Sequence, residues 1–512
     1  MNLRYVNTEQ RSKKENICPQ NNHEIWRSLG RTYDTDSFKT KAVDWLLGAV
    51  RVPTESYDDS GPVGTDPRSE RFQAFHDYLL QSFPLVHGSV NTCGLIFVWK
   101  GSNSTLQPLL LAAHQDVVPG DPTTIDQWTH PPFSGYFDGA VCCHFLWFSV
   151  YILAGGSLDN KSGLIGVMSA VETMLENSYH PHRTIVLAFG FNEEIGGVQG
   201  AQTLAVTLEE MFGGNGYAML VDEGCEFAAF ELRGTIRMFA TPARTEKDYL
   251  DVRIEVSAPG GHSSMPPPHT SIGILARLLV EIEDHPFEAH LVSSLLAHIP
   301  KLPEQLRKDI LDSIFSDEAL RAAEEQLFMD PTFRHISNTT QAIDMIHGGV
   351  KTNALPEQAW AIINHRILAG STDASATPTR GNLTVSQAFG FKGSEPPPIT
   401  PTEDALPYQI LSGTIDATYN SHKGNKGNDT IIIRPVVLAG MTDTKSYSSL
   451  TPHIFRYRHN EKPKGVEYST LTHSCRLTLT SRWNKAISID NFVKMIRFYT
   501  TSMLNVDESS LP

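Results

Sequence analysis

The sequence predicts an α/β protein: a mixed, mostly parallel sheet covered by helices, with a smaller α+β domain inserted into it. Short continuous apolar runs recur at residues 106–113, 184–191 and 216–221, as expected of strands buried on both faces. A segment of helical periodicity, 162–177, separates the first two. Near Asp248 the character changes: residues 249–256 and 358–367 alternate apolar with polar, the pattern of strands wet on one side.

Taken in order, residues 1–35 read as a polar leader, and 38–50 and 71–83 as helices either side of a Pro/Ser/Asp/Gly-rich loop. Each of the three apolar strands ends in residues that can carry chemistry. Helices are expected at 271–283 and 304–323, inside the second pattern. Residues 370–430 are rich in Gly, Pro, Ser, Thr and Asn and read as loops. A buried strand at 431–438 and a helix at 491–504 follow. The expected organisation is a main domain in two pieces, 36–240 and 396–512, with 241–395 inserted between them.

A chain of 512 residues exceeds one ordinary core, which favours two domains. A net charge of −15 argues against nucleic acid, whose phosphates require clustered Lys and Arg. Six cysteines without a CxxC pair or repeated spacing argue against a zinc ribbon or a disulfide framework. The leader has no apolar core, so neither a signal peptide nor a membrane anchor is read there. Sequons at Asn103, Asn338, Asn382 and Asn428 give a faint hint of a secretory route. The apolar stretch 141–154 is shorter than the ~20 residues that span a bilayer and reads as a buried strand or an inserted segment.

Four clusters carry the chemistry. His114 and Asp116 stand two apart at the end of a strand, so period two puts both on one face and Asp116 can hold the imidazole. Asp159 sits where a loop enters a helix, as a metal ligand or as a helix cap. Glu193 and Glu194 lie between an apolar strand and two glycines. Adjacent carboxylates there can divide the work of holding metal and accepting a proton. Asp222 and Glu223 end the third strand. Each cluster alone has a plain structural reading: a buried pair, a cap, a solvated turn. Together they gather beyond the carboxyl ends of three strands, where open α/β sheets bind ligands.

These motifs resemble a known family. HQDVVPG from His114, SLDNKSG from Ser157, FNEEIGG from Phe191, VDEG from Val221, APGGHSSMPP from Ala258, GGVKTNALPE from Gly348 and MTDTKSY from Met441 are similar to the zinc metallopeptidase family of aminoacylases, desuccinylases and glutamate carboxypeptidases (metallopeptidase family 20). The nearest branch is the carboxypeptidase S type. The resemblance implies two zinc ions. His114 and Asp222 would hold one, with Glu223 competing for the latter position; Asp159 would bridge; Glu194 and His473 would hold the other. It implies that Asp116 orients His114, that Glu193 is the general base, and that His262 stabilises the oxyanion, often from a partner subunit. Asn353 and Arg366 match binders of a substrate carboxylate, and the peptide after Asp159 is expected to be cis.

The implied substrate is a small peptide or an N-acyl amino acid, the implied partner a second copy through the inserted domain, and the implied compartment vacuolar or extracellular. Two segments depart from the family pattern beside its ligands: residues 141–154, and residues 475–482 next to His473. They read as retained non-coding sequence. They leave a catalytically impaired homologue as one alternative and an aminoacylase or N-fatty-acyl amino acid hydrolase as another.

Overall fold

The computed structural model describes residue 19 and residues 21–512 apart from 87, 92, 121, 124–129, 138–150, 154–155, 233–234, 290–320, 322–323, 326–327, 330–333, 336, 369–382, 389–396, 422–430 and 462–485. Its main sheet is organised about the strand Leu109–His114, buried along its whole length. Side chains alternate across the sheet. Leu109, Leu111 and Ala113 enter a large core with the helices Asp36–Val50, Ser162–Glu176 and Ile489–Asp507. Leu110 and Ala112 enter a smaller core with the helix Ala201–Phe212. Burying each large aliphatic side chain contributes roughly 1.5–3 kcal/mol, so this strand is held from both faces.

Leu109–His114 runs parallel to Ile185–Gly190 on one side and Met219–Leu232 on the other. Ile454–Glu461 extends the parallel set beyond Met219–Leu232, and Gly94–Trp99 closes the other side antiparallel. The parallel direction brings His114, Gly190 and the Asp222–Glu223 pair toward one edge of the sheet. The second sheet is antiparallel throughout, in the order Thr340–Gly348, Gln358–Ile367, Asp248–Ser257, Leu383–Gln387. The helix Ser271–Asp284 packs on one of its faces through Leu275 and Leu279.

Several expectations need correction. Part of the leader, His23–Asp34, is a helix: Leu29 and Tyr33 are buried, and Trp26 Nε1 donates to Thr501 Oγ1 at 3.0 Å. Its many polar residues hid that narrow apolar stripe. The segment read as loops contains the helix Leu406–Ser421, with Ile410, Leu411 and Ile415 in the core. Gly and Thr residues mask its periodicity. The strand expected at 431–438 is two short strands, Ile432–Ile433 and Val436–Leu438. Pro435 between them has no N–H for a ladder. Cys225 is disulfide-bonded, which the cysteine spacing did not suggest.

Of the stretch 141–154, Tyr151–Leu153 forms a strand between Tyr136–Phe137 and Ala486–Ser488. The far end of the first departure from the family pattern is therefore paired with the strand that precedes the helix Ile489–Asp507. The rest of 141–154, all of 475–482 and almost all of the helix expected at 304–323 lie outside the described residues. No helix among the described residues is long and apolar enough to cross a membrane.

Candidate metal centre

His114 closes its strand with the imidazole buried, 1% exposed. Nδ1 meets the Asp116 backbone oxygen at 3.0 Å and Asp116 Oδ1 at 3.2 Å, so the ring is gripped from one side. Nε2, on the other side, makes no hydrogen bond, while Glu223 Oε1 lies 3.3 Å and Asp159 Oδ1 3.7 Å away. Asp116 does more than hold the ring. Its Oδ1 accepts the Glu193 backbone N–H at 3.1 Å and its Oδ2 that of Glu194 at 3.2 Å. One carboxylate thus ties the His114 strand to the turn bearing both glutamates.

Asp159 stands on the loop that enters the buried helix Ser162–Glu176, and its peptide to Asn160 is cis, as the resemblance implies. Three contacts fix that loop. The buried Lys161 ammonium donates to Ala49 O at 3.0 Å and to Val52 O. Gly163 packs on Asn160, whose Oδ1 is 2.2 Å from where a Cβ would stand. Arg458 donates to Leu158 O and pairs with Glu226 Oε1 at 2.9 Å. The Arg458 guanidinium lies within the field of Asp159 and Glu223. Sequence reading passed over Arg458; its one signal is its place with Arg456 in an alternating strand, 454–461.

Glu193 and Glu194 begin a short turn after Gly190, and a second buried carboxylate, Asp443, lies beneath it. Asp443 Oδ2 is 2.1 Å from a Cβ built on Gly190, and Oδ1 is 2.6 Å from one on Gly197, so both positions require glycine. Neither Asp443 oxygen has a hydrogen-bond partner. Burial lifts this carboxyl to about 7.

Ligand atoms of His114, Asp159 and Glu223 lie within 4.8 Å of one another, as do those of His114, Glu193 and Glu194. Asp222, expected beside His114, does not join either group. Its Oδ1 accepts the Glu223 N–H at 2.8 Å, and its buried Oδ2 is unpartnered. Neighbouring strand residues face opposite ways, and Glu223 is the one turned to His114.

Burial lifts Glu193 well above the carboxylate range; the charge of His114 opposes this, and Glu223, Glu194 and Asp443 add to it. Asp222 and Glu223 are raised by burial too. For His114, burial works against the proton, but the charge of Glu223, the bond to Asp116 and the nearby Asp159 carboxylate raise it well above the ordinary value. Acids and imidazole alike are shifted toward their protonated forms because the pocket gathers more negative charge than it can bury alone. A mixed imidazole and carboxylate donor set with an unbonded buried Nε2 suits a divalent cation such as zinc.

The remaining candidates fall elsewhere. His262 and Asn353 are exposed neighbours on the inserted domain, where Ser263 N donates to Asn353 O at 3.3 Å and His262 Nδ1 meets Ser264 Oγ at 2.7 Å. Arg366 is opposite Tyr249 in the second sheet, its guanidinium 5.3 Å from the ring centre. His473 lies outside the described residues.

This fold and donor set define a metallopeptidase-type hydrolase. Residues 110–458 match the model of peptidase family M20/M25/M40, and the chain belongs to that family. It is 32% identical over 486 residues to carboxypeptidase S of Saccharomyces cerevisiae, covering 87% of this chain and 81% of the relative. It is 31% identical over 434 residues to the N-fatty-acyl-amino acid synthase/hydrolase PM20D1 of Bos taurus, covering 80% of this chain and 79% of the relative. Among solved structures, the di-peptidase Dug1p of Saccharomyces cerevisiae superposes with a TM-score of 0.62 at 13% identity, over 95% of this chain and 99% of that one. The M20 family metallo-carboxypeptidase Sso-CP2 of Sulfolobus solfataricus gives 0.56 at 15% identity, over 91% and 99%.

Proposed function

We propose that the chain uses two zinc ions to hydrolyse an amide bond next to a free amino-acid carboxylate, as a carboxypeptidase of short peptides. The observation that carries this is the buried Nε2 of His114, aimed at Glu223 and Asp159 beside the Glu193–Glu194 turn. His114, Asp159, Glu194 and Glu223 are the proposed ligands, with His473 from the family resemblance and Asp222 behind Glu223. Zinc, when bound, supplies the Lewis acidity that polarises the scissile carbonyl and acidifies water.

The chain's own residues do the rest. Asp116 fixes the His114 ring and holds both glutamates at their backbone. Glu193, whose burial raises its affinity for a proton, takes the proton of the attacking water and passes it to the leaving amine. His262 donates to the developing oxyanion. Its exposure in a single chain supports supply from a second copy, docked through the inserted domain. Asn353 and Arg366 face the substrate carboxylate, for which a guanidinium fork is well shaped. Vacuolar or extracellular placement accompanies the carboxypeptidase S likeness.

The resemblance to PM20D1 favours a second reading, hydrolysis of N-fatty-acyl amino acids, which uses the same catalytic residues. Zinc stoichiometry and cleavage of a blocked Gly-Leu dipeptide, measured on one purified sample, test the proposal. Two zincs per chain and chelator-sensitive cleavage support it. A zinc-loaded protein that cleaves only acyl conjugates favours the second reading, and one that binds no zinc overturns both.

A further inference from the structure

Between the Glu193 turn and the inserted domain stands a second cation that the family motif leaves without a role. Lys445 follows Asp443 in the short helix Asp443–Tyr447 and is only partly exposed. Its ammonium lies 3.0 Å from Met441 Sδ and 5.5 Å from the ring centre of Tyr249. Arg366 lies 5.3 Å from the centre of that same ring. The two cations therefore come from different domains, the main body and the inserted sheet, and meet at one phenol.

The order of groups matters. Burial lowers the Lys445 ammonium, and Asp248, Asp443, Glu193 and Glu246 raise it in turn, so it lies within the field of Glu193. Tyr249 feels both Arg366 and Glu193. Lys445 and Arg366 both border the Tyr249 ring, and Glu193 acts on Lys445 and on Tyr249. In a substrate with a free C-terminal carboxylate, only the amide nitrogen and one α-carbon separate the scissile carbonyl from that carboxylate. A group that recognises the carboxylate must therefore lie close to the base, and Lys445 does. Asp251 and Asp58 add to the effect of burial in keeping the Tyr249 hydroxyl protonated.

We propose that Lys445 is the inner cation of a two-cation seat for the substrate's free carboxylate, with Arg366 as its outer cation and Tyr249 as the ring that both border. This rests on the carboxylate-dependent hydrolysis proposed above. Lys445 is a point charge on a flexible stem, so it can follow the carboxylate of differing side chains. Arg366 supplies the fixed fork.

The test uses the zinc-loaded full chain with Lys445→Met, Lys445→Gln and Lys445→Arg. Readouts are kcat and KM on blocked Gly-Leu, and inhibition constants for N-acetylleucine and N-acetylleucinamide. Loss of one charge-assisted contact should raise KM and the N-acetylleucine constant about 10- to 100-fold in the Met and Gln variants. The amide's constant and kcat should stay within about threefold, and Arg should restore most of the acid affinity. The Gln variant decides if the Met variant does not fold. An unchanged acid constant with a fallen kcat and a displaced pH profile would overturn the proposal, because Lys445 would then act through Glu193. Failure of the underlying reading looks different: wild-type protein would cleave blocked Gly-Leu and its C-terminal amide equally well.

Discussion

In the main body His114, Asp116 and Asp222 are 2% exposed or less, whereas on the inserted domain His262 and Asn353 stand in solvent. The main sheet is covered on both faces, so charges at its strand ends are desolvated and held by backbone contacts. The inserted sheet has its helix on one face, and beyond that helix Ile346 and Val350 are 62% and 98% exposed. A buried charge asks for a cation; an exposed imidazole beside open apolar residues asks for a surface to close over it. Under the proposed function one region would supply reactivity and the other closure.

Four measurements test that contrast. Glu193→Gln should lower kcat by roughly 10²- to 10⁴-fold with zinc content and KM retained. A variant that loses zinc instead would make Glu193 a ligand. His262→Ala should lower kcat by about 10²- to 10³-fold without changing the melting temperature, since the residue is exposed. If His262 reaches a second copy's site, mixing the Glu193→Gln and His262→Ala proteins should restore part of the activity.

Glu223→Gln should weaken zinc binding beyond the about 10- to 100-fold that loss of an outer partner costs, whereas Asp222→Asn should stay within that range. The reverse order, measured by chelator competition, would return Asp222 to the ligand set. The last pair compares packing. Leu111→Ala should destabilise the body by about 2–5 kcal/mol in denaturant unfolding. Ile346→Ala should fall within about 0.5 kcal/mol in a monomer, and a larger loss would reveal that Ile346 is covered.

The parallel core was legible because full burial writes continuous apolar runs into a sequence, and the inserted sheet because one-sided burial writes alternation. Helices with narrow stripes, His23–Asp34 and Leu406–Ser421, were not legible, since their few core residues are scattered among polar or small ones. At the site, the motif positions could be read one by one. Their partners could not: the grip of Asp116 on two backbone N–H groups, the wedge of Asp443 under Gly190 and the reach of Arg458 to Leu158 all join distant residues. The choice between Asp222 and Glu223 turns on which way a strand residue faces at its end, where no further alternation remains to set the phase.

The helix Ile489–Asp507 is buried along nearly its whole length and packs on Ser162–Glu176 and Leu406–Ser421. It is synthesised after the inserted sheet, yet it completes the large core that covers the strand of His114. The inserted sheet draws all its pairings from residues 248–387 and needs nothing from that helix. On a ribosome the accessory part can therefore be finished while the body still waits. During that interval the large core lacks its last buried helix, and the strand that carries His114 is covered on that face only in part.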